Sequence, residues 1–246
     1  MINSLITYSR IWFNLMALLR KFERHVPLKE KMTHALHGSL KPTDALLLRK
    51  IIRRYKPPET LEIGSFLGVS SRWILEASSS WEGHLTAIDP NIPHRVFESP
   101  RNFMEKLNKK FIPQRLAVVT AFFGTYGGTC MACLPPGKAS QNTGMEDIPS
   151  INAEWDKKFD FIFIDGEHSY DAVMNNFEIA VRLLNKGGAI VFHDVLSREG
   201  VKNGLSDIRE RYKGKAEVEI LGERDRKLLA IIGRANDGIG VFTFYE

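Results

Sequence analysis

The sequence predicts an open α/β fold, a doubly wound and mostly parallel sheet of about seven strands preceded by an N-terminal helical extension. Three observations carry this prediction. From Leu40 onward, short apolar runs alternate with helical stretches, which is the rhythm of βαβ units. The runs are brief and nearly continuous in apolar residues, as expected of strands covered by helices on both faces. A turn with glycines at 64 and 68 lies where the first run passes into the first helix of the repeating pattern.

Taken in order, Leu5, Tyr8, Trp12, Leu15 and Leu19 recur at three- and four-residue steps and predict a helix with one apolar face. Arg10 and Arg20 bracket its most apolar stretch, so it reads as neither a membrane span nor a signal peptide. It packs on its own domain or on a second subunit, making a homo-oligomer through this helix an open partner. The basic end at Arg20, Lys21, Arg24 and His25 leaves a membrane-surface role as the alternative, although a membrane is not the expected partner. Residues 1–39 are taken as this extension and residues 40–246 as one catalytic domain. Strands are expected at Thr60 to Ile63, His84 to Ile88, Leu116 to Phe122, Phe159 to Ile164, Ala189 to His193, Ala216 to Leu221 and Gly240 to Tyr245. Helices are expected at Thr43 to Tyr55, Ser70 to Ala77, Arg101 to Lys109, Tyr170 to Leu184 and Gly200 to Tyr212. The stretch from Gly124 to Asp156 is rich in Gly, Pro, Ser and Asn and predicts a long loop insertion that covers or shapes a site.

With 43% apolar and 26% charged residues, the chain has the composition of a globular protein and not of a disordered or fibrous one. The net charge is +5, but the basic residues fall in small scattered groups such as Arg49-Lys50, Arg53-Arg54 and Arg224-Asp225-Arg226-Lys227. A solvated basic surface is expected, with no nucleic-acid partner. The two cysteines, Cys130 and Cys133, supply no disulfide framework and only half the ligands of a structural zinc, which points to a reducing, cytoplasmic location.

The first strand delivers Leu61-Glu62-Ile63-Gly64-Ser65-Phe66-Leu67-Gly68-Val69-Ser70. Glycines at 64 and 68 permit close backbone approach by a ligand, and the following helix offers unpaired N–H groups. A dinucleotide site would need G-x-G-x-x-G, whereas Phe66 stands at the middle glycine. Glu62 sits poorly beside a diphosphate and suits a cationic or zwitterionic ligand. Asp89 closes the second strand, where a carboxylate can accept both hydroxyls of a ribose. Together these features point to an adenosine-containing cofactor with a positive charge near Glu62.

The stretch from Leu61 to Ser70, in its E-x-G-x-x-x-G-x-S form, resembles motif I of class I S-adenosylmethionine-dependent methyltransferases. It is particularly similar to the catechol O-methyltransferase-like branch and to related small-molecule and sugar O-methyltransferases. The resemblance runs from about Leu40 to Asp194. It implies a Rossmann-like sheet and an S-adenosylmethionine pocket formed by Glu62, Gly64, Ser65, Gly68, Ser70, Asp89 and Asp165. Many relatives carry an acidic residue after the third strand, near the adenine, where this chain has Phe123-Gly124-Thr125.

The fourth strand delivers Asp165-Gly166-Glu167-His168 and the fifth delivers His193-Asp194, so both tips are expected at one crevice. Their carboxylates would repel one another unless a cation or a hydrogen-bond network compensates. In the catechol-type family a divalent ion is held by an acid after the fourth strand and an acidic or acid-amide pair after the fifth. The resemblance therefore implies Asp165, His193 and Asp194 as ligands of Mg²⁺ or Mn²⁺. His193 departs from that pattern, because imidazole suits later transition metals better than magnesium. Either the ion is not strictly magnesium or His193 contacts substrate, and the plain alternative is that Asp165 and Asp194 only cap turns.

His168 stands where the family places a catalytic lysine, and an imidazole can serve as general base there. The expected reaction is methyl transfer from S-adenosylmethionine to a hydroxyl of a small molecule or sugar, with His168 and Asp165 as the catalytic pair. Two other readings stay open: a metal-independent methyltransferase that relies on His168, and a non-catalytic S-adenosylmethionine-binding module.

Overall fold

A computed structural model describes residues 2–124, 148–223 and 236–245. Helices α1 (Ile2–Lys21) and α2 (Leu28–His37) lead into α3 (Pro42–Tyr55), β1 (Glu59–Ile63), α4 (Val69–Ala77), β2 (His84–Asp89), α5 (Pro100–Asn108) and β3 (Leu116–Thr120). Then come the short strands β4 (Phe122–Phe123) and β5 (Ser150–Ile151), followed by β6 (Phe159–Ile164), α6 (Tyr170–Leu183), β7 (Leu184–His193), α7 (Glu199–Arg211), β8 (Ala216–Leu221) and β9 (Ile239–Phe244). The helix α2 was not distinguished within the extension read from the sequence.

Seven strands form one sheet in the order β3-β2-β1-β6-β7-β9-β8. The pairs β3–β2, β2–β1, β1–β6 and β6–β7 are parallel, and β9 is antiparallel to both β7 and β8. The chain runs outward from β1 to β3 and then crosses back to place β6 on the other side of β1. That reversal makes the carboxyl ends of β1 and β6 the switch point, where a doubly wound sheet opens a crevice. The two tips are stitched together by Asp165 N–H donating to Ile63 O at 2.8 Å.

Two apolar cores cover the two faces of the sheet. Alternation along the strands decides which residue faces which core. Phe161 and Phe163 of β6 and Ala189 and Val191 of β7 face the layer of α1, α3, α4 and α5, whereas Ile162, Ile164, Ile190 and Phe192 face α6 and α7. The same period turns Thr60 and Glu62 away from Leu61 and Ile63, toward α4. It turns His193, the last residue of β7, toward α3. Helix α1 belongs to the first core through Ile11, Leu15 and Leu19, each fully buried and each contributing about 1.5–3 kcal/mol of apolar burial. Tyr8 and Trp12 flank them, half-buried, while Phe13 is left 74% exposed on the opposite side.

Strand boundaries differ from the sequence reading by more than one residue at two places. The third strand ends at Thr120, the register partner of Asp89, and not at Phe122. Strand β7 begins at Leu184 instead of Ala189, because Gly187, at φ +77°, lets the Lys186-Gly187-Gly188 stretch bulge between the Phe159 and Phe161 pairings. Most of the expected 124–156 loop, with Cys130 and Cys133, lies outside the described residues, as does the Arg224–Lys227 cluster.

Candidate active site

The glycine turn at the tip of β1 is held by the chain itself. Gly64, Phe66 and Gly68 all have positive φ, at +85°, +44° and +79°. A Cβ on Gly64 would stand 2.3 Å from Asp165 O, and one on Gly68 would stand 2.6 Å from Asn108 Nδ2. The glycines therefore answer to left-handed backbone and close packing of β6 and α5, rather than to ligand approach alone. Asp89 supports the same turn: its Oδ2 accepts from Ser65 N at 3.0 Å and Phe66 N at 2.9 Å, and its Oδ1 accepts from Asn91 N at 2.8 Å. Oδ2 already accepts two bonds and Oδ1 one, so Oδ1 keeps a lone pair that a ribose hydroxyl would join without replacing these bonds.

Beside Asp89 lies a shallow recess lined by Ser65, Phe66, Asn91, Arg101 and Thr120. Arg101 spans it, with Nη1 donating to Thr120 Oγ1 at 2.5 Å and Nε to Glu105 at 2.7 Å. Thr120 and Arg101, not Phe123-Gly124, are thus the polar residues at the end of β3. Sequence reasoning missed them because the strand end was set two residues too late.

Glu62 is fully buried on the α4 side of β1. Its Oε2 accepts from the Ser71 hydroxyl and Ser70 also bonds the carboxyl, while Oε1 is buried with no hydrogen-bond partner. Burial, reinforced by the charges of Asp165 and Asp89, pushes this carboxyl up to about 8 despite the two serines. An orphaned, desolvated carboxylate oxygen is the signature of a site completed by a cation or a donor.

The tips of β6 and β7 meet as the sequence reading requires. His193 Nδ1 lies 2.9 Å from Asp165 Oδ1 and 3.6 Å from Asp194 Oδ2. His168 Nε2 lies 2.7 Å from the same Asp194 Oδ2. Asp194 has a left-handed φ of +63°, and its other oxygen accepts from Ser197 Oγ at 2.8 Å. A non-glycine residue held in this region at a strand tip is typical of functional sites.

The charges here compensate one another. Burial disfavours the His193 cation, yet Asp165, Asp44 and Asp194 outweigh it and raise the imidazole well above its usual value. Burial likewise opposes the Asp194 anion, but contact with His168 and the charge of His193 hold this carboxyl well below the usual range. His193 is only 6% exposed. His168 retains 35% exposure of its side chain.

Asp165 Oδ1, His193 Nδ1 and Asp194 Oδ2 converge within 4.8 Å, and Asp44, His193 and Asp237 form an adjoining group. Asp44 is a residue the sequence did not single out. An acid in the first turn of α3 reads as a surface cap, and only the topology brings it under His193.

Against known families, the one described as a methyltransferase domain matches residues 61–195, more than half of the chain. This chain belongs to the methyltransferase-domain family. The resemblance to class I methyltransferases carried by Leu61 to Ser70 is the one that the whole domain bears out. Among solved structures, the S-adenosylhomocysteine-bound methyltransferase PaMTH1 of Podospora anserina aligns over 95% of this chain and 88% of its own, with TM-score 0.57 and 13% identity. The O-methyltransferase of Bacillus cereus, in complex with S-adenosylhomocysteine, aligns over 94% and 90%, with TM-score 0.56 and 17% identity. These likenesses establish the shared fold. A curated relative, the uncharacterized protein R132 of Acanthamoeba polyphaga mimivirus, is 51% identical over 35 residues, spanning 14% of this chain and 16% of that relative. No helix among the described residues of this methyltransferase domain is long and apolar enough to cross a membrane.

Proposed function

We propose that this protein is a cytoplasmic S-adenosylmethionine-dependent O-methyltransferase acting on a hydroxyl of a small molecule or sugar. The single observation that carries the reading is the buried, unpartnered Glu62 Oε1 lying one strand away from the His168–Asp194 pair. The first suits the positive charge of a methionine sulfonium or ammonium group. The second suits proton removal from an acceptor.

In this reading the ribose joins Asp89, the purine enters the recess beside Thr120 once Arg101 swings aside, and the amino-acid end lies near Gly64 and Glu62. Asp194 holds His168 by Nε2, which leaves Nδ1 to take the acceptor's hydroxyl proton. The oxygen lone pair forms the new bond to the methyl carbon as the carbon–sulfur bond breaks, and its electron pair returns to sulfur to give the neutral thioether. Alignment of oxygen, carbon and sulfur is the protein's main contribution, since the cofactor carries the reactive group. Asp165 anchors the crevice at the β6 tip.

The donor set of Asp165, His193 and Asp194 fits a divalent ion. Two carboxylate oxygens and an imidazole nitrogen favour Mn²⁺ over Mg²⁺, which prefers oxygen alone. Such an ion would supply charge that lowers the acceptor hydroxyl's pKa and fixes its direction. A second reading, metal-independent transfer by His168, is favoured by His193, which already balances the two carboxylates as a cation.

Methyl transfer from labelled S-adenosylmethionine to a panel of phenols and sugars, run with EDTA and with added Mn²⁺, tests the proposal. Transfer to a hydroxyl supports it. Binding of cofactor without transfer to any acceptor would make the protein a binding module.

A further inference from the structure

The first turn of α3 carries a carboxylate with no route to solvent: Asp44 is 0% exposed. A buried carboxylate is costly unless its lone pairs are taken up, so its partners reveal why it is kept. Asp237 N donates to Oδ2 at 3.0 Å and Gly238 N donates to Oδ1 at 3.2 Å. The Asp237 carboxylate and His193 also lie close by, and His193 Nε2, 3.6 Å from Asp44 Oδ2, is buried with no hydrogen-bond partner. The opposite ring nitrogen, Nδ1, points at Asp165 and Asp194.

Residues 236–238 tie this arrangement to the turn that follows β7. Leu196 N donates to Asp237 O at 2.8 Å, Lys41 Nζ donates to Asp237 Oδ1 at 2.8 Å, and a Cβ on Gly238 would stand 2.4 Å from Leu196 Cγ. One carboxylate thereby meets the start of α3, the strap before β9 and the imidazole at the tip of β7. Stapling two backbone amides needs only a neutral acceptor. What a carboxylate adds over a neutral amide is attraction for the imidazole edge 3.6 Å away.

We infer that Asp44 is a positioning residue for the reaction centre, its carboxylate facing the Nε2 edge of His193 at 3.6 Å so that Nδ1 faces Asp165 and Asp194. A histidine whose far nitrogen is fixed by a carboxylate has one orientation and greater basicity at its near nitrogen, whatever occupies the site. The inference rests on the methyltransferase reading for its kinetic consequence and on the geometry alone for the ring orientation.

Two measurements test it. In the ligand-free wild-type protein, ring ¹⁵N NMR of His193 at neutral pH should show a proton on Nε2; an unprotonated Nε2 overturns the inference. The variant Asp44→Asn keeps the size and presents an oxygen or an N–H₂ group, but no charge, to the ring. It should lose about 10- to 100-fold in kcat while the KM for S-adenosylmethionine and the affinity for S-adenosylhomocysteine change by less than about twofold. An unchanged kcat in a folded Asp44→Asn protein overturns it, and if that variant does not fold the wild-type NMR result decides. Wild-type protein that transfers no methyl group would instead contradict the methyltransferase reading, leaving the orientation of His193 to be settled by NMR.

Discussion

His168 Nε2 and Asp194 Oδ2 stand 2.7 Å apart, joining the turn after β6 to the residue that follows β7. One contact thus engages the Nε2 edge of an imidazole whose side chain is 35% exposed. If Nδ1 is the base, replacing the ring removes proton abstraction and leaves cofactor binding intact. His168→Gln should lower kcat about 10²- to 10⁴-fold, with S-adenosylhomocysteine affinity by calorimetry unchanged within about twofold.

Glu62 links pH to stability. Its folded value, about 8, lies above the ordinary carboxylate value, so its contribution is fully present below the unfolded value near 4.5 and is lost as pH rises through 8. The shift corresponds to something on the order of 5 kcal/mol. Ligand-free wild-type protein should therefore lose stability between pH 5 and 8, roughly the window set by that shift. Glu62→Gln should lose less stability than wild type across this window and be more stable at its alkaline end, as read by urea unfolding at fixed pH, with the raised His193 contributing the fall that remains above about 6.5. The same variant should bind S-adenosylmethionine more weakly, because the cation loses its anionic partner. Wild-type protein should release a proton on binding it, measurable by calorimetry in buffers of different ionisation enthalpy.

Asp194 titrates in the opposite sense. Its carboxyl is held below the usual range, so the stability it contributes is present above the unfolded value near 3.9 and is lost as pH falls through its depressed folded value. Asp194→Asn should flatten the acid limb of a pH–stability curve measured below about pH 4. An acid limb identical to that of wild type would contradict the charge balance among Asp194, His168 and His193.

Gly64→Ala should destabilise by about 3 kcal/mol or more, combining a left-handed backbone with a Cβ driven into the β6 tip. Chemical denaturation gives the number, and a loss under about 1 kcal/mol would show that the β1–β6 junction relaxes easily.

The sheet was legible in the sequence because apolar runs of strand length are separated by helices of the right period, whereas the strand order is given by the structure. The meeting of Asp165, His168, His193 and Asp194 was legible for the same reason: each follows directly on a strand that the pattern defines. Asp44 and the Arg101–Thr120 bridge were not. Asp44 reaches His193 only because a period-two strand turns that imidazole toward α3, a fact that needs the topology. Thr120 was hidden by an apolar run, Leu116 to Phe122, in which nothing local marks the break at Ala121. The motive first given to the two glycines was incomplete for a related reason, since only the packed structure shows Asp165 O and Asn108 against them.

The central claim is that the β1 and β2 tips bind a sulfonium nucleoside beside the β6–β7 crevice. Calorimetric titration with S-adenosylhomocysteine, comparing wild type with Asp89→Ala, tests it most directly. The account predicts one site per chain in the wild type and at least about a tenfold loss in the variant, a loss of at least roughly 1.4 kcal/mol. Wild-type protein that binds no S-adenosylhomocysteine, or a folded Asp89→Ala variant that binds it equally well, would contradict the account.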